Sequence, residues 1–103
     1  MKMPFGLSPQ QYEFILKIVV HPLEALGASV WCYGSRARGD HSPFSDLDLM
    51  VESDKDLSRE ISSISDFLEE SQFPYKVEIV LYSHFAEQYK AGYENDKKRF
   101  LTP

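Results

Sequence analysis

Gly34 and Ser35 are followed ten residues later by Asp46-Leu47-Asp48, within the run GSRARGDHSPFSDLDL. A glycine-led turn joined to two carboxylates two residues apart suits the holding of a metal-bound nucleoside triphosphate. At Gly34 the backbone must bend or approach a ligand, and a side chain there would obstruct a phosphate. From Ser35 a brief helical turn would leave unpaired N–H groups and a positive dipole end facing phosphate oxygens. The Ser35 hydroxyl can donate to the same oxygens.

The two aspartates belong to a strand whose side chains alternate. Leu47, Leu49 and Val51 point one way and Asp46, Asp48 and Met50 the other. Like charges this close are unfavourable unless they share a cation. Mg²⁺ is suited to that place, since one or two carboxylates and substrate phosphates hold it. The next strand, YKVEIVLY over Tyr75–Tyr82, puts Glu78 on a face with Lys76 and Val80, which makes Glu78 the candidate third ligand. Two ions about 3.5–4 Å apart would then activate the attacking oxygen and steady the pyrophosphate leaving group.

On these residues the chain resembles the minimal nucleotidyltransferases (MNT) of the DNA polymerase beta superfamily. Their motif is Gly-Ser, about ten residues, Asp-x-Asp, and a third acid on a later strand. Gly34, Ser35, Asp46 and Asp48 match one by one; Arg36, Ala37, Arg38, Gly39 and Ser45 fit the surrounding pattern, and the similarity spans roughly residues 10–90. The resemblance implies a polymerase-beta-like α/β (α+β) fold, a small mixed β-sheet of three or more strands flanked by helices. It implies Mg²⁺, as two ions, on Asp46, Asp48 and Glu78 as catalytic and metal-holding residues, with ATP as substrate. Gly34, Ser35, Arg36, Arg38 and Ser45 are its nucleotide-binding candidates. Members commonly pair with a HEPN-domain protein, and some silence that ribonuclease toxin by transferring AMP to it. The implied partner and acceptor is therefore a HEPN-domain toxin, with this chain as antitoxin.

Glu78 departs from the usual third aspartate by one methylene. That departure favours an alternative, a nucleotide-binding module that neutralises its partner by stoichiometric masking. A third reading, transfer to a small-molecule hydroxyl, is disfavoured because 103 residues leave little room for a second, acceptor-binding domain.

The elements that must position these residues are legible in outline. Ala28–Tyr33 reads as a strand ending at the Gly34 turn. Ser8, Pro9 and Gln11 read as N-cap, first helical position and capping-box partner of a helix carrying Tyr12, Ile15, Leu16, Val19, Leu23 and Leu26, with Pro22 expected to kink or shorten it. Leu57, Ile61, Ile64 and Leu68 predict a second helix, and Phe85 and Tyr89 a third. One domain over residues 1–103 is expected, with a core of about 8–92 and a tail at 93–103 that docks on the domain or on a partner.

Composition narrows the classes. A net charge of −5 disfavours broad nucleic-acid binding, which requires a basic surface. The single Cys32 has no partner for an internal disulfide, in keeping with a reducing cytoplasm. No leader opens the chain and no apolar run nears the ~20 residues of a membrane span. His21, His41 and His84 lack zinc spacing, and Ser35 lacks the Gly-x-Ser-x-Gly elbow of a hydrolase. Trp31, Tyr33 and Phe44 read as core aromatics, with stacking on adenine a lesser option for Phe44.

Overall fold

The computed structural model describes residues 3–102. Its centre is a four-stranded sheet of β1 (Ser29–Tyr33), β2 (Leu47–Glu52), β3 (Val77–Leu81) and β4 (Lys98–Arg99), in the order β3-β2-β1-β4. β1 runs antiparallel to β2 and β4, whereas β2 and β3 are parallel, so the sheet is mixed. A parallel pair needs a crossover, and α4 (Ser58–Glu70) supplies it.

The first helix starts as its sequence dictates. Ser8 caps α1 (Pro9–Ile15) by accepting from the Gln11 N–H, and the Gln11 side chain accepts from the Ser8 N–H. The chain then continues through a π-helical stretch (Leu16–Val20) into α2 (His21–Glu24). Pro22 lies inside this run, just after the π-helical stretch; Val20 and His21 before it keep helical backbone, so the proline neither ends nor breaks the run.

Strand alternation sends Val30, Cys32, Leu47, Leu49 and Val51 to one face of the sheet. There they form the core with Ile15, Leu16, Val19, Val20 and Leu23 of the first helical run and with Ile61 and Leu68 of α4. Cys32 is a buried free thiol inside this core, and burial, with the Asp48 charge second, pushes it up to about 12.

The opposite face is only partly open. Met50, expected to project with the acids, is fully buried. The chain after β3 accounts for this, because α5 (Lys90–Asp96) packs Tyr93 against Tyr33, with ring centroids 5.5 Å apart, while the following Lys97 lies over Trp31. The expected third helix is also shifted. Two 3₁₀ turns, Tyr82–His84 and Glu87–Tyr89, flank Phe85, and the α-helix begins only at Lys90.

Residues 93–101 dock on the domain, one of the two placements expected of the tail. Phe100 is 0% exposed and stacks with Tyr12 at 4.5 Å between centroids, and the Tyr12 hydroxyl donates to the Leu101 carbonyl. Aromatic burial of this kind is a large stabilising term for a small domain. Among the described residues, no helix is long and apolar enough to cross a membrane.

Candidate active site

Register brings the acids together. Asp48 on β2 pairs with Tyr33 on one side and Glu78 on the other, so the three side chains share one face of the sheet. Asp46 lies just before β2, and it and Glu78 are exposed while Asp48 is half-buried. Glu78 stands on β3, the edge strand, so the acidic end is open to solvent on that side.

Gly34 lies directly over this end. Its φ of +75° is one that L side chains rarely adopt, and a Cβ there would come within 2.7 Å of an Asp48 carboxylate oxygen. The glycine therefore makes room for the Asp48 carboxylate as well as for any phosphate beside it. α3 (Ser35–Arg38) follows at once, with the Gly34 carbonyl accepting from the N–H groups of Ala37 and Arg38. Ser35, half-buried, heads this turn.

The electrostatics are those of crowded carboxylates. Burial, then the neighbouring Glu78 and Asp46 charges, raise Asp48 to about 6, and Lys76 opposes them. The Tyr33 phenol is pushed up to about 12 by burial and then by Asp48 and Glu78. By sequence Tyr33 reads as a core aromatic; only its cross-strand pairing with Asp48 reveals its place beside the acids.

Among the described residues, no three His, Cys, Asp or Glu side chains close into a metal cage. The donor set nevertheless fits Mg²⁺. Hard carboxylate oxygens are the right chemistry, and this ion takes only one or two protein carboxylates when phosphates supply the rest. The raised Asp48 marks a site that a cation would relieve.

Two of the nucleotide-binding candidates have partners within the protein. Arg36 is 2% exposed and is held inside the protein rather than at the open acidic end. Its Nε donates to the Ser45 carbonyl at 2.9 Å, its Nη1 to the Phe5 carbonyl at 2.9 Å, and its guanidinium covers the Tyr75 ring at 4.1 Å. It thus positions the residues leading into the acid-bearing strands. The Ser45 hydroxyl is likewise used locally, accepting from the Ser42 N–H at 2.9 Å and sharing a bond with the Ser42 hydroxyl. Arg38 stays exposed, paired with Asp40 and Asp96 at 3.1 Å each. Surface pairs of this kind are weak enough to exchange for another anion. Phe44, 82% exposed in the loop before Asp46, is no core residue.

The nucleotidyltransferase domain family matches residues 13–101, which include Gly34, Ser35 and all three acids. The chain belongs to this family. For a nucleotidyltransferase domain, a Gly-Ser turn facing acids on adjacent strands supports nucleotidyl transfer as its chemistry. A crystal structure of a candidate nucleotidyltransferase from Sulfolobus solfataricus is similar to it at 20% identity and a TM-score of 0.45, over 90% of this chain and 85% of that one. No curated protein matches the chain.

Proposed function

We propose that this nucleotidyltransferase-domain protein moves AMP from ATP to a hydroxyl of a partner protein. In the most specific form of the reading it is an MNT antitoxin acting in the cytoplasm on a HEPN-domain toxin. The observation that carries the transfer chemistry is the register of Asp48 with Glu78 beside Gly34. In the proposed reaction the acceptor hydroxyl gives up its proton to a site carboxylate or to water as its oxygen bonds to the α-phosphorus, the bond from the α-phosphorus to the bridging oxygen breaks, and pyrophosphate leaves with that oxygen. Asp46, Asp48 and Glu78 would hold Mg²⁺, which neutralises triphosphate charge when bound. The Gly34 backbone admits the phosphates closely, and the Ser35 hydroxyl orients them by donating a hydrogen bond. Exposure of Asp46, just before β2, and of Glu78, on the edge strand β3, leaves the acids within reach of a hydroxyl on a macromolecule. The resemblance to MNT proteins is what names the partner.

The test is transfer of label from α-labelled ATP with Mg²⁺ in an extract of the source cell, comparing wild type with Asp46→Ala/Asp48→Ala. One protein band labelled by wild type alone is the expected result, and its mass identifies the acceptor. Loss of an interaction made in the transition state by several acids should lower transfer by at least about 10³-fold. No acid-dependent label on protein would overturn the reading. Neutralisation of the partner only at one-to-one ratios and without ATP would then identify a masking module.

A further inference from the structure

Between the N-terminal segment, α3 and β4 lies a cavity of about 310 Å³, and none of Gly34, Asp46, Asp48 and Glu78 lines it. Arg36, Arg38, His41 and Lys98 line it, together with Gly6 and Gly39. Among the described residues no acidic side chain lines it. Arg38 is answered by Asp40 and Asp96, but in a chain of net charge −5 the cations of Arg36 and Lys98 beside His41 still run against the general balance.

Arg36 is the decisive group. It is a fully ionised guanidinium at 2% exposure, and among the described residues it forms no ion pair. Carbonyl oxygens and the Tyr75 ring satisfy part of it, but its Nη2 is buried with no hydrogen-bond partner. A buried cation without a counter-anion is costly. His41 repeats the pattern, since its Nδ1 is also buried and unpartnered. The two side chains meet over Gly6, where a Cβ would fall 2.2 Å from His41 Nε2 and 3.0 Å from Arg36 Nη1. With φ of +69°, Gly6 is the residue that lets them share this corner. At the rim Lys98 is exposed and forms no ion pair among the described residues.

We infer that this cavity is an anion site taking inorganic phosphate or the phosphate of a small phosphomonoester, with Lys98 and His41 as ligands and Arg36 as the buried counter-charge. The volume lies at the lower end of small-ligand pockets, and guanidinium, ammonium and imidazole donors match phosphate oxygens. Because Arg36 also holds the Ser45 carbonyl and His41 belongs to the same loop, an occupant here is linked to the backbone that leads into Asp46. The inference does not depend on nucleotidyl transfer.

Inorganic phosphate titrated into the full chain, followed by ¹H–¹⁵N spectra at constant ionic strength, tests it. Expected are saturable shifts centred on Gly6, Gly39, His41 and Lys98. Lys98→Ala, at an exposed position that leaves the core intact, should raise the phosphate Kd at least fivefold, and His41→Ala should do the same. Asp48→Asn should leave it within twofold. A phosphomonoester such as glycerol phosphate that saturates the same amides at lower concentration would identify the esterified ligand, and equal or weaker binding the free ion. Shifts centred on Gly34 and Ser35, no saturable shift, or a Kd unchanged in Lys98→Ala and His41→Ala would overturn the site.

Discussion

Asp48 and Glu52 stand four residues apart on β2 and point to the same face of the sheet, yet the fold treats them oppositely. Glu52 accepts from the Tyr93 hydroxyl and from Lys97 Nζ, the latter at 3.0 Å, so its charge is answered from α5 and the residue after it. Asp48 is flanked by Glu78 and Asp46, and it is raised to about 6. A carboxylate matched by internal donors ties elements together. One crowded by other acids is kept unfavourable by its surroundings, and a bound cation would relieve it. The same face of one strand thus carries a structural end and a chemical end, with buried Met50 between them.

Gly34→Ala should disturb the chemical end most. The added Cβ meets the Asp48 carboxylate in a backbone conformation already unfavourable for alanine, which should cost about 2–4 kcal/mol in chemical unfolding. Unchanged stability would mean that the turn relaxes freely, and the contrast with Glu52 would lose its geometric basis. At the structural end, Glu52→Ala leaves the Tyr93 hydroxyl without its acceptor and Lys97 with only Glu94, and should cost about 1–2 kcal/mol by the same measurement. If this variant were neutral, the two carboxylates would not differ in kind.

The smallest effect is the most diagnostic. Because Asp48 is raised in the folded state, the native protein binds more protons than the unfolded chain between about pH 4 and pH 6. Stability should therefore fall as pH rises through that window, and the penalty is complete above about pH 6. Asp48→Asn removes it, so the metal-free variant should gain about 1 kcal/mol at pH 7.5, after allowance for the half-exposed position, and nothing near pH 3.5. Thermal melts at the two pH values measure this. A loss of stability at pH 7.5 would place Asp48 with Glu52 as a structural acid.

Much of the candidate site was legible from residue types. Gly34, Ser35, Asp46, Asp48 and Glu78 are singled out by spacing and alternation, and β1, β2, β3, α4 and the helical run from Pro9 to Glu24 stand within a residue or two of their expected places. Arg36 was misjudged because arginine after a Gly-Ser turn reads as a phosphate ligand, while its burial depends on Phe5, Ser45 and Tyr75, distant in the chain. Met50 was misplaced for a related reason. Alternation assigns a face but does not say what covers it, and α5 covers this one from the far end of the sequence. Phe100 in a charged segment gave no periodic signal, and its burial follows from β4 pairing with β1.

The sequence by itself determined which residues carry carboxylates beside the turn, which glycine opens it, and which strand faces are apolar. These depend on local backbone geometry and on the two-residue repeat of a strand. Only the tertiary structure decided which carboxylates stand together, which one is neutralised, and which arginine is enclosed. Those outcomes rest on strand register and on contacts between distant segments, because charge interactions are set by distance and surrounding dielectric rather than by position in the chain.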